Sequence, residues 1–172
     1  MRRIFSLGMI VATLLSGVVV GAPAAHAADT YRLQFAHSSK CLDVPGKSKD
    51  NGVQLIQYTC NGGTNQNWYL DYATTRDGIS YYRIRNQNSG KCVNVAGNSS
   101  ADGAHIIQWT CGAYNNEYFA FVANDVVGDP WSWVMAYHSR KVLNVQGAST
   151  ANSAKVIQWT KYYQHNSYLK YF

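Results

Sequence analysis

Four cysteines have the most distinctive spacing of any reactive residues in this sequence. Cys41 and Cys60 are 19 positions apart, and Cys92 and Cys111 are also 19 positions apart. In an exported chain, an even number of cysteines indicates disulfide chemistry. The equal separations favour the pairs Cys41–Cys60 and Cys92–Cys111 over the other pairings. A zinc or redox site of the Cys-x-x-Cys kind has no support, because no two cysteines lie close together in the sequence.

The acidic residues give little support for catalysis. Asp and Glu together number 9 in 172 residues, and Glu117 is the single glutamate. This scarcity also disfavours a metal site built from acids. The sequence contains no nucleophile-elbow, zincin, phosphate-loop or dinucleotide-binding motif. Two acids on separate loops could still form a glycosidase centre, and sequence spacing does not exclude that.

The first 27 residues predict a secretory signal peptide. Arg2 and Arg3 precede an apolar run over residues 4–20, and Ala25-His26-Ala27 supplies the small residues that a signal peptidase reads. A membrane anchor is the alternative, but the run is marginal in length for a span. We therefore expect cleavage after Ala27 and a secreted, extracellular mature protein, residues 28–172, without a membrane span.

The charge pattern gives little reason to expect a nucleic-acid partner. The full chain has a net charge of +6, and loss of Arg2 and Arg3 reduces it to +4. The remaining Lys and Arg residues are scattered and form no basic cluster. We predict that the protein does not bind nucleic acid.

Two sequence blocks recur three times in the same register. The first block covers residues 37–44, 88–95 and 138–145, and the second covers residues 55–59, 106–110 and 156–160. The offsets between copies are 51 and then 50 residues, and positions related by these offsets are called equivalent below. The sequence therefore predicts one domain made of three repeats, at about residues 31–80, 81–130 and 131–172.

Within each repeat, the hydrophobic pattern is that of β-strands. Leu42 and Val44 flank one polar residue, as do the equivalent pairs Val93 and Val95, and Leu143 and Val145. This alternation places the apolar side chains on one face and the polar side chain on the other. Turn-rich stretches separate the strands, and no segment of the mature chain has the pattern of an amphipathic helix. One repeat cannot bury its apolar face alone, so the three must close around a shared core.

The repeated motifs resemble those of the ricin B-type lectins. The similarity rests on Lys40-Cys41-Leu42-Asp43-Val44, on Ile56-Gln57-Tyr58-Thr59-Cys60, and on the Gln-x-Trp motif at Gln66 and Trp68. It extends from about Tyr31 to Phe172. The resemblance implies an all-β fold, a β-trefoil with three pseudo-symmetric repeats of about 50 residues.

The resemblance also implies one sugar pocket for each repeat. In the family, a pocket combines an aspartate from the Leu-Asp-Val strand, an aromatic residue from the next strand, and an asparagine before the Gln-x-Trp motif. The first repeat offers Asp43, Tyr58 and Asn65, with Asn61 as a further polar contact and Gln66 bracing from behind. The second repeat offers Asn94, Trp109 and Asn116, and the third offers Asn144, Trp159 and Asn166.

The chemistry of these residues suits carbohydrate. A carboxylate accepts hydrogen bonds from sugar hydroxyls, an amide donates and accepts them, and a flat ring covers the apolar C–H face. Asp43 is the only acid among the three equivalent positions, so we expect the principal pocket in the first repeat. The resemblance thus implies a secreted lectin that binds polysaccharide or cell-surface glycan, without enzymatic activity, cofactor or metal.

Other interpretations of the same residues stay open. Tyr58, Trp109 and Trp159 could instead hold the trefoil together by packing. The loss of acid at Asn94 and Asn144 favours a protein-binding or protease-inhibitory trefoil with degenerate sugar pockets, and a small glycan-active enzyme is a further alternative. His37 and His138 are equivalent and could suggest acid–base or metal chemistry. No acid–base partner lies at motif spacing, so a turn or surface role is expected for them.

Overall fold

Short antiparallel strands make up nearly all of the regular structure. The computed structural model describes residues 29–124 and 130–172. Its strands are β1 (Leu33–Phe35), β2 (Cys41–Asp43), β3 (Ile56–Tyr58), β4 (Trp68–Arg76), β5 (Ile79–Asn86), β6 (Cys92–Val95), β7 (Ile106–Trp109), β8 (Tyr118–Ala123), β9 (Ser132–Ala136), β10 (Val142–Val145), β11 (Ala154–Trp159) and β12 (Tyr168–Tyr171). Six single-turn 3-10 helices connect them, at Pro45–Lys47, Thr64–Gln66, Ala96–Asn98, Asn115–Glu117, Gln146–Ala148 and His165–Ser167.

Six of the strands form a closed barrel. Strands β1, β12, β9, β8, β5 and β4 pair in that order, all antiparallel. The ring closes where Tyr31 and Trp68 exchange two backbone hydrogen bonds of 2.8 Å, which join the start of β1 to β4. Closure leaves no unpaired edge in the barrel, which removes the hazard of edge-to-edge association.

The other six strands form three hairpins that cover one end of the barrel. Each repeat supplies one hairpin, β2–β3, β6–β7 or β10–β11. Strand β11 pairs with β3, and bridges at Gln54–Ile107 and His105–Ile157 complete a triangle of contacts among the hairpins. A six-stranded barrel with a hairpin triplet is the β-trefoil, so the predicted fold class is confirmed.

Equivalent apolar residues from the three repeats fill the core. The alternation along the strands places Leu42 and Val44 on the core side with no exposed surface, as predicted. Trp68 is fully buried and donates its indole N–H to Leu42 O at 3.3 Å, so the aromatic residue of the Gln-x-Trp motif serves the core. The fully buried equivalent sets are Leu33, Ile84 and Val134; Leu42, Val93 and Leu143; Val44, Val95 and Val145; and Trp68, Phe119 and Leu169.

A ring of three buried glutamines joins the repeats to one another. Gln57 donates to the carbonyls of Ser149 and Ala151 in the third repeat, at 2.7 and 2.9 Å. Gln108 in the same way holds residues 48–50 of the first repeat, and Gln158 holds residues 99–101 of the second. In each repeat a serine hydroxyl donates to the glutamine side-chain oxygen; the three serines are Ser38, Ser89 and Ser139.

Two histidines and an asparagine add to these contacts between repeats. The Nε2 atoms of His37 and His138 lie 2.9 Å from the carbonyl oxygens of Ser149 and Ser99. Asn88, at the equivalent position in the second repeat, donates to Lys47 O at 2.8 Å. These contacts place the histidines at turns between repeats, as expected.

The third repeat is closed differently from the first two. Cys41–Cys60 and Cys92–Cys111 form the two predicted disulfides. By the chain-entropy relation, each stabilises the folded protein by about 3 kcal/mol, because it restricts the unfolded chain. In the third repeat, Val142 and Lys161 stand in place of cysteines. Val142 packs in an outer apolar cluster with Trp133, and Lys161 Nζ lies 4.4 Å from the centroid of that tryptophan ring.

Among residues 29–124 and 130–172, no helix is long and apolar enough to cross a membrane. The predicted signal peptide lies outside the described residues.

Candidate functional site

The hairpin register places two of the predicted site residues of each repeat on the same face. In the first hairpin, Cys41 pairs with Tyr58 and Asp43 pairs with Ile56. Asp43 and Cys41 are two positions apart in β2 and therefore point to the same face, on which Tyr58 also lies. The equivalent pairings are Cys92–Trp109 with Asn94–Ile107, and Val142–Trp159 with Asn144–Ile157.

Two 3-10 turns complete each pocket. The first follows β2 directly and contains Gly46 at φ +62°, with Gly97 and Gly147 in the same conformation in the other repeats. This left-handed backbone favours glycine because a Cβ would crowd the following carbonyl. The second turn, Thr64–Gln66, presents Asn65 beside Asp43. Strand pairing and turn geometry together bring the carboxylate, the aromatic ring and the asparagine to one depression.

The pocket of the first repeat has a volume of about 330 Å³. Four of the predicted residues, Asp43, Tyr58, Asn61 and Asn65, line it. Lys47 and Ser153 also line it, and Ser153 comes from the third repeat. Tyr58 is 38 % exposed, as a ring that forms one wall of an open depression must be. The arrangement brings hydrogen-bonding groups and an exposed ring face together, which is the chemistry predicted from the sequence.

Asp43 is more enclosed than the sequence indicated. We expected this acid to face outward, and it does point away from the core, but only 3 % of its surface is exposed. Its Oδ2 accepts hydrogen bonds from Asn65 Nδ2 at 3.0 Å and from Gln66 Nε2 at 2.7 Å. Burial raises the pKa of Asp43 above its ordinary value, although these two hydrogen bonds act in the opposite direction. Oδ1 forms no hydrogen bond with any described residue and is available to a ligand.

Gln66 lies behind the pocket and does not line it. It is fully buried, and its Nε2 donates to both Asp43 Oδ2 and Thr59 O. Its Oε1 accepts from the backbone N–H of Asn61 at 2.8 Å. Gln66 therefore fixes Asp43 and the Asn61 loop with one amide group, which is the bracing position expected for it.

The pocket of the second repeat is about twice as large, at about 660 Å³. Asn94, Trp109 and Asn116 line it as predicted, and Tyr114 adds a second aromatic wall. Tyr114 is 63 % exposed and its ring lies over Gly112. A Cβ at Gly112 would come within 2.6 Å of Tyr114 Cε2, so this ring position requires glycine beneath it.

The carboxylate and amide of the first repeat are exchanged in the second. Asn94 replaces Asp43 at the pocket, and Glu117 replaces Gln66 behind it. Glu117 is fully buried and accepts backbone N–H bonds from Gly112 at 2.9 Å and Tyr114 at 3.4 Å. The second repeat thus keeps one carboxylate in this region but holds it away from the pocket.

The pocket of the third repeat has a volume of about 430 Å³ and is lined by Asn144, Trp159 and Asn166, as predicted. Here Ser167 takes the place of Gln66 and accepts a hydrogen bond of 2.6 Å from Asn144 Nδ2. Asn144 Oδ1 accepts from Asn166 Nδ2 at 3.1 Å. Both polar atoms of the Asn144 amide are therefore bonded within the protein.

Lys47 and Tyr114 also line pockets, and the repeat pattern of the sequence does not predict either of them. Neither residue recurs at its equivalent positions, which hold Asn98 and Ala148 for Lys47, and Gly63 and Gln164 for Tyr114. A search for threefold recurrence therefore passes over both. The sequence signal that could have found them is the absence of recurrence. In each case one repeat has a bulky or charged residue in a turn where the other two repeats have smaller residues.

In the described part of the chain, no group of three or more His, Cys, Asp or Glu side chains could hold a metal ion.

Comparison with known proteins identifies the repeats. The family model described as "Ricin-type beta-trefoil lectin domain-like" matches residues 19–109 and 74–159. The designed threefold-symmetric protein ThreeFoil is 36 % identical with a TM-score of 0.75, covering 83 % of this chain and 96 % of that protein. An exo-β-1,3-galactanase from Clostridium thermocellum is 31 % identical with a TM-score of 0.76, covering 83 % of this chain and 29 % of the galactanase chain.

A curated relative has a shorter match. "Probable lipoprotein EnvE" of Salmonella typhimurium (strain LT2) is 29 % identical over 65 residues, which are 38 % of this chain and 32 % of that protein. The chain thus matches about a third of the length of this relative, and less than a third of the galactanase.

Proposed function

Since the chain belongs to the ricin-type β-trefoil lectin domain-like family, we propose that it binds carbohydrate non-covalently, through pockets that its three repeats present on the hairpin side of the trefoil. The ligand class is a polysaccharide or a cell-surface glycan. The first repeat holds the principal pocket.

One observation carries this proposal. Each repeat combines an exposed aromatic ring with an Asp or Asn side chain and a second asparagine around a depression of 330 to 660 Å³. Rings that served only to hold the trefoil together would be buried, whereas Tyr58, Trp109 and Trp159 are 38 to 44 % exposed. An exposed ring beside fixed polar groups suits the apolar C–H face and the hydroxyls of a sugar.

The first pocket is best equipped for hydroxyl recognition. Asp43 Oδ1 is a free carboxylate oxygen at the floor, and hydrogen bonds to an ionised acceptor are about twice as strong as neutral ones. Asn65 is held by Val44 O and Asp43, and therefore needs no rearrangement when a ligand enters. More than one active pocket would raise avidity for a repeating glycan.

We also propose that residues 1–27 direct export and are removed after Ala27, and that residues 28–172 form the secreted lectin domain. The two disulfides support an oxidising location. Mass spectrometry of the exported protein tests the cleavage site.

A glycan array tests the binding proposal. The wild-type protein is compared with the triple variant Tyr58→Ala/Trp109→Ala/Trp159→Ala, which removes only exposed rings and should keep the fold, as checked by circular dichroism. We expect the wild type to bind at least one glycan class and the triple variant to lose that binding. Absence of binding by the wild type, or equal binding by both proteins, would refute the proposal; tight inhibition of a protease would then favour the protein-binding alternative.

Sugar affinity of the first pocket should fall in mild acid. Burial raises the pKa of Asp43, and sugar hydroxyls donate to the ionised form, so protonation removes the acceptor. Because the pKa is raised, affinity should begin to fall at a higher pH than an ordinary aspartate would produce. Titration calorimetry of the variant Trp109→Ala/Trp159→Ala at several pH values measures this, with Asp43→Asn added as the control that should lack the acid limb. A profile that stays flat down to the ordinary aspartate range would contradict it.

The same pKa shift acts on folding in the opposite sense. The folded protein binds a proton at Asp43 more tightly than the unfolded chain, so the contribution of this group to stability is greatest at low pH and is lost as the pH rises through the raised value.

A further inference from the structure

We propose that Asn61, which lines the first pocket, is a site of spontaneous covalent modification, at which the side-chain amide is lost by deamidation in the folded protein. The modification follows from the chemistry of an Asn-Gly sequence and from the way in which the structure holds this one. It does not depend on carbohydrate binding; only its consequence for the first pocket rests on the proposed function.

The sequence places glycine directly after asparagine at two points, Asn51-Gly52 and Asn61-Gly62. Deamidation begins when the backbone nitrogen of the following residue attacks the side-chain carbonyl carbon of asparagine. Glycine hinders this approach least because it has no Cβ. Both pairs are exposed to solvent, so access to water does not separate them. The difference between the two sites lies in their hydrogen bonds.

The side chain of Asn61 folds back over its own backbone. Its Oδ1 accepts a hydrogen bond of 2.9 Å from the N–H of Gly63, two residues further along the chain. This bond identifies the accepting atom as oxygen, because a backbone N–H only donates. The bond also holds the side chain along the Gly62 peptide group. It places a donor on the atom that takes up negative charge when the carbon is attacked, as an oxyanion hole does.

The attacking and leaving groups at this site are both free. In the described part of the chain, the N–H of Gly62 donates to no other residue, and neither does Asn61 Nδ2, the leaving group. The ends of the loop are held, since the Asn61 N–H donates to Gln66 Oε1 at 2.8 Å and Cys60 is in a disulfide. The loop therefore keeps the reacting groups together without engaging them in other bonds.

Asn51 is held in the opposite way. Its Oδ1 accepts hydrogen bonds from the N–H and the hydroxyl of Thr110 in the second repeat, at 2.9 and 3.1 Å, so its side chain is turned toward another repeat. The N–H of Gly52 donates to Gln108 O at 2.9 Å. This nitrogen must lose that bond before it can attack. The fold therefore protects Asn51 and leaves Asn61 reactive.

The reaction needs only water as a co-reactant. The Gly62 nitrogen loses its proton and bonds to Asn61 Cγ, the Cγ–Nδ2 bond breaks, and Nδ2 takes up a proton and leaves as ammonia. Water then opens the succinimide that results. Opening at Cγ gives aspartate, and opening at the backbone carbonyl gives isoaspartate, in which the main chain runs through the side-chain carbon.

Two cationic side chains adjoin the loop and favour a negative charge on it. Arg32 Nη2 lies 3.5 Å from the position that a Cβ would take on Gly62. Lys47 Cε lies 3.7 Å from the corresponding position on Gly63. These cations stabilise the charge that develops during the attack and the carboxylate that remains afterwards. The first pocket thereby gains a second acid in addition to Asp43, which lines the same depression.

Peptide mapping by mass spectrometry tests the proposal on the purified protein. After incubation in mildly alkaline buffer, chymotryptic cleavage after Tyr58 separates the two sites, and each deamidated peptide gains about 1 Da. In the folded protein we expect conversion at residue 61 to be at least about 10-fold faster than at residue 51, because the nucleophile is free and in place only at the former. In the reduced protein unfolded in guanidinium, the two rates should agree to within about 2-fold, because the folded-state hydrogen bonds are absent.

The consequence for the first pocket is measured in the Trp109→Ala/Trp159→Ala background. Isoaspartate at residue 61 displaces the N–H that Gln66 Oε1 accepts, and Gln66 also braces Asp43. The number of sugar sites found by calorimetry should therefore fall in proportion to the isoaspartate content. The same protein with Asn61→Gln is the matched control, and its incubated and fresh samples should give equal values.

The outcomes separate this inference from the proposed function. Equal rates at residues 51 and 61 in the folded protein, or the same ratio of rates in the folded and the unfolded protein, would overturn the assignment of the modification site. A constant number of sugar sites while isoaspartate accumulates would overturn its consequence for the first pocket. Absence of sugar binding by fresh wild-type protein would refute the proposed function, and the two rates would still decide whether Asn61 is modified.

Discussion

Replacing Asp43 by alanine is expected to weaken glycan binding at the first pocket by about 10- to 100-fold. The variant loses an ionised acceptor whose Oδ1 is free for the ligand, and hydrogen bonds to charged groups contribute about 1.5 to 3 kcal/mol. Calorimetric titration in the Trp109→Ala/Trp159→Ala background measures the affinity of this pocket alone.

The same substitution should leave the fold intact. Gln66 Nε2 retains Thr59 O as an acceptor at 3.0 Å, and Asn65 Nδ2 retains Val44 O at 3.1 Å, so no donor is orphaned. Burial raises the pKa of Asp43, which means that the ionised side chain is poorly solvated in the folded protein and that its removal relieves a desolvation cost. We therefore expect the free energy of unfolding of Asp43→Ala to stay within about 1 kcal/mol of the wild type. Unchanged affinity in a folded variant would show that Asp43 does not contact the ligand.

Asn94→Asp is expected to destabilise the protein by about 2 to 4 kcal/mol, unless Glu117→Gln accompanies it. The single substitution adds a second carboxylate to a repeat that already holds the fully buried Glu117, at the two positions where the first repeat pairs Asp43 with the donor Gln66 at 2.7 Å. Two carboxylates that are both ionised in a poorly solvated site repel each other, and this repulsion lowers the stability of the folded protein. The double variant restores an acid–amide pair and should return to within about 1 kcal/mol of the wild type.

Urea unfolding of the wild type, both single variants and the double variant forms a double-mutant cycle. The deficit of Asn94→Asp should shrink in acid, because protonation of the introduced aspartate relieves the repulsion. Asp43→Asn in the first repeat is the matched comparison, since it removes a charge beside an amide and should cost little. Additive effects of the two substitutions at neutral pH would mean that residues 94 and 117 do not interact.

The sequence predicted the fold and the residues that the three pockets share because both depend on recurrence. Leu42, Val44 and their equivalents show the strand period directly, and three copies in one register leave a single way to close the core. The disulfides followed from equal spacing, and both form in the structure. Tyr58, Trp109 and Trp159 recur at equivalent positions, and each lines the depression of its own repeat.

What the sequence left open depends on contacts specific to one repeat. The enclosure of Asp43 follows from turns that fold over it, and strand alternation does not report such cover. Asn94 and Asn144 are the same replacement of Asp43 in the sequence, but their side chains have different surroundings. The Nδ2 atom of Asn144 donates a hydrogen bond to Ser167 Oγ, whereas the Nδ2 atom of Asn94 has no hydrogen-bond partner among the described residues. Tyr114 lines its pocket because Gly112 leaves room for the ring, which is a local detail of a single loop.

The glutamine ring has a bearing on how such a molecule can originate. Every repeat carries both halves of the same contact, a glutamine and a loop whose carbonyls receive the glutamine of another repeat. Each glutamine contacts the loop of one neighbouring repeat, in the same direction around the ring. Two repeats alone would therefore leave one glutamine and one loop without a partner, whereas three repeats pair every glutamine with a loop. The contact is therefore self-complementary, and its smallest closed set is a trimer of repeats, whether they are separate peptides or fused in one chain.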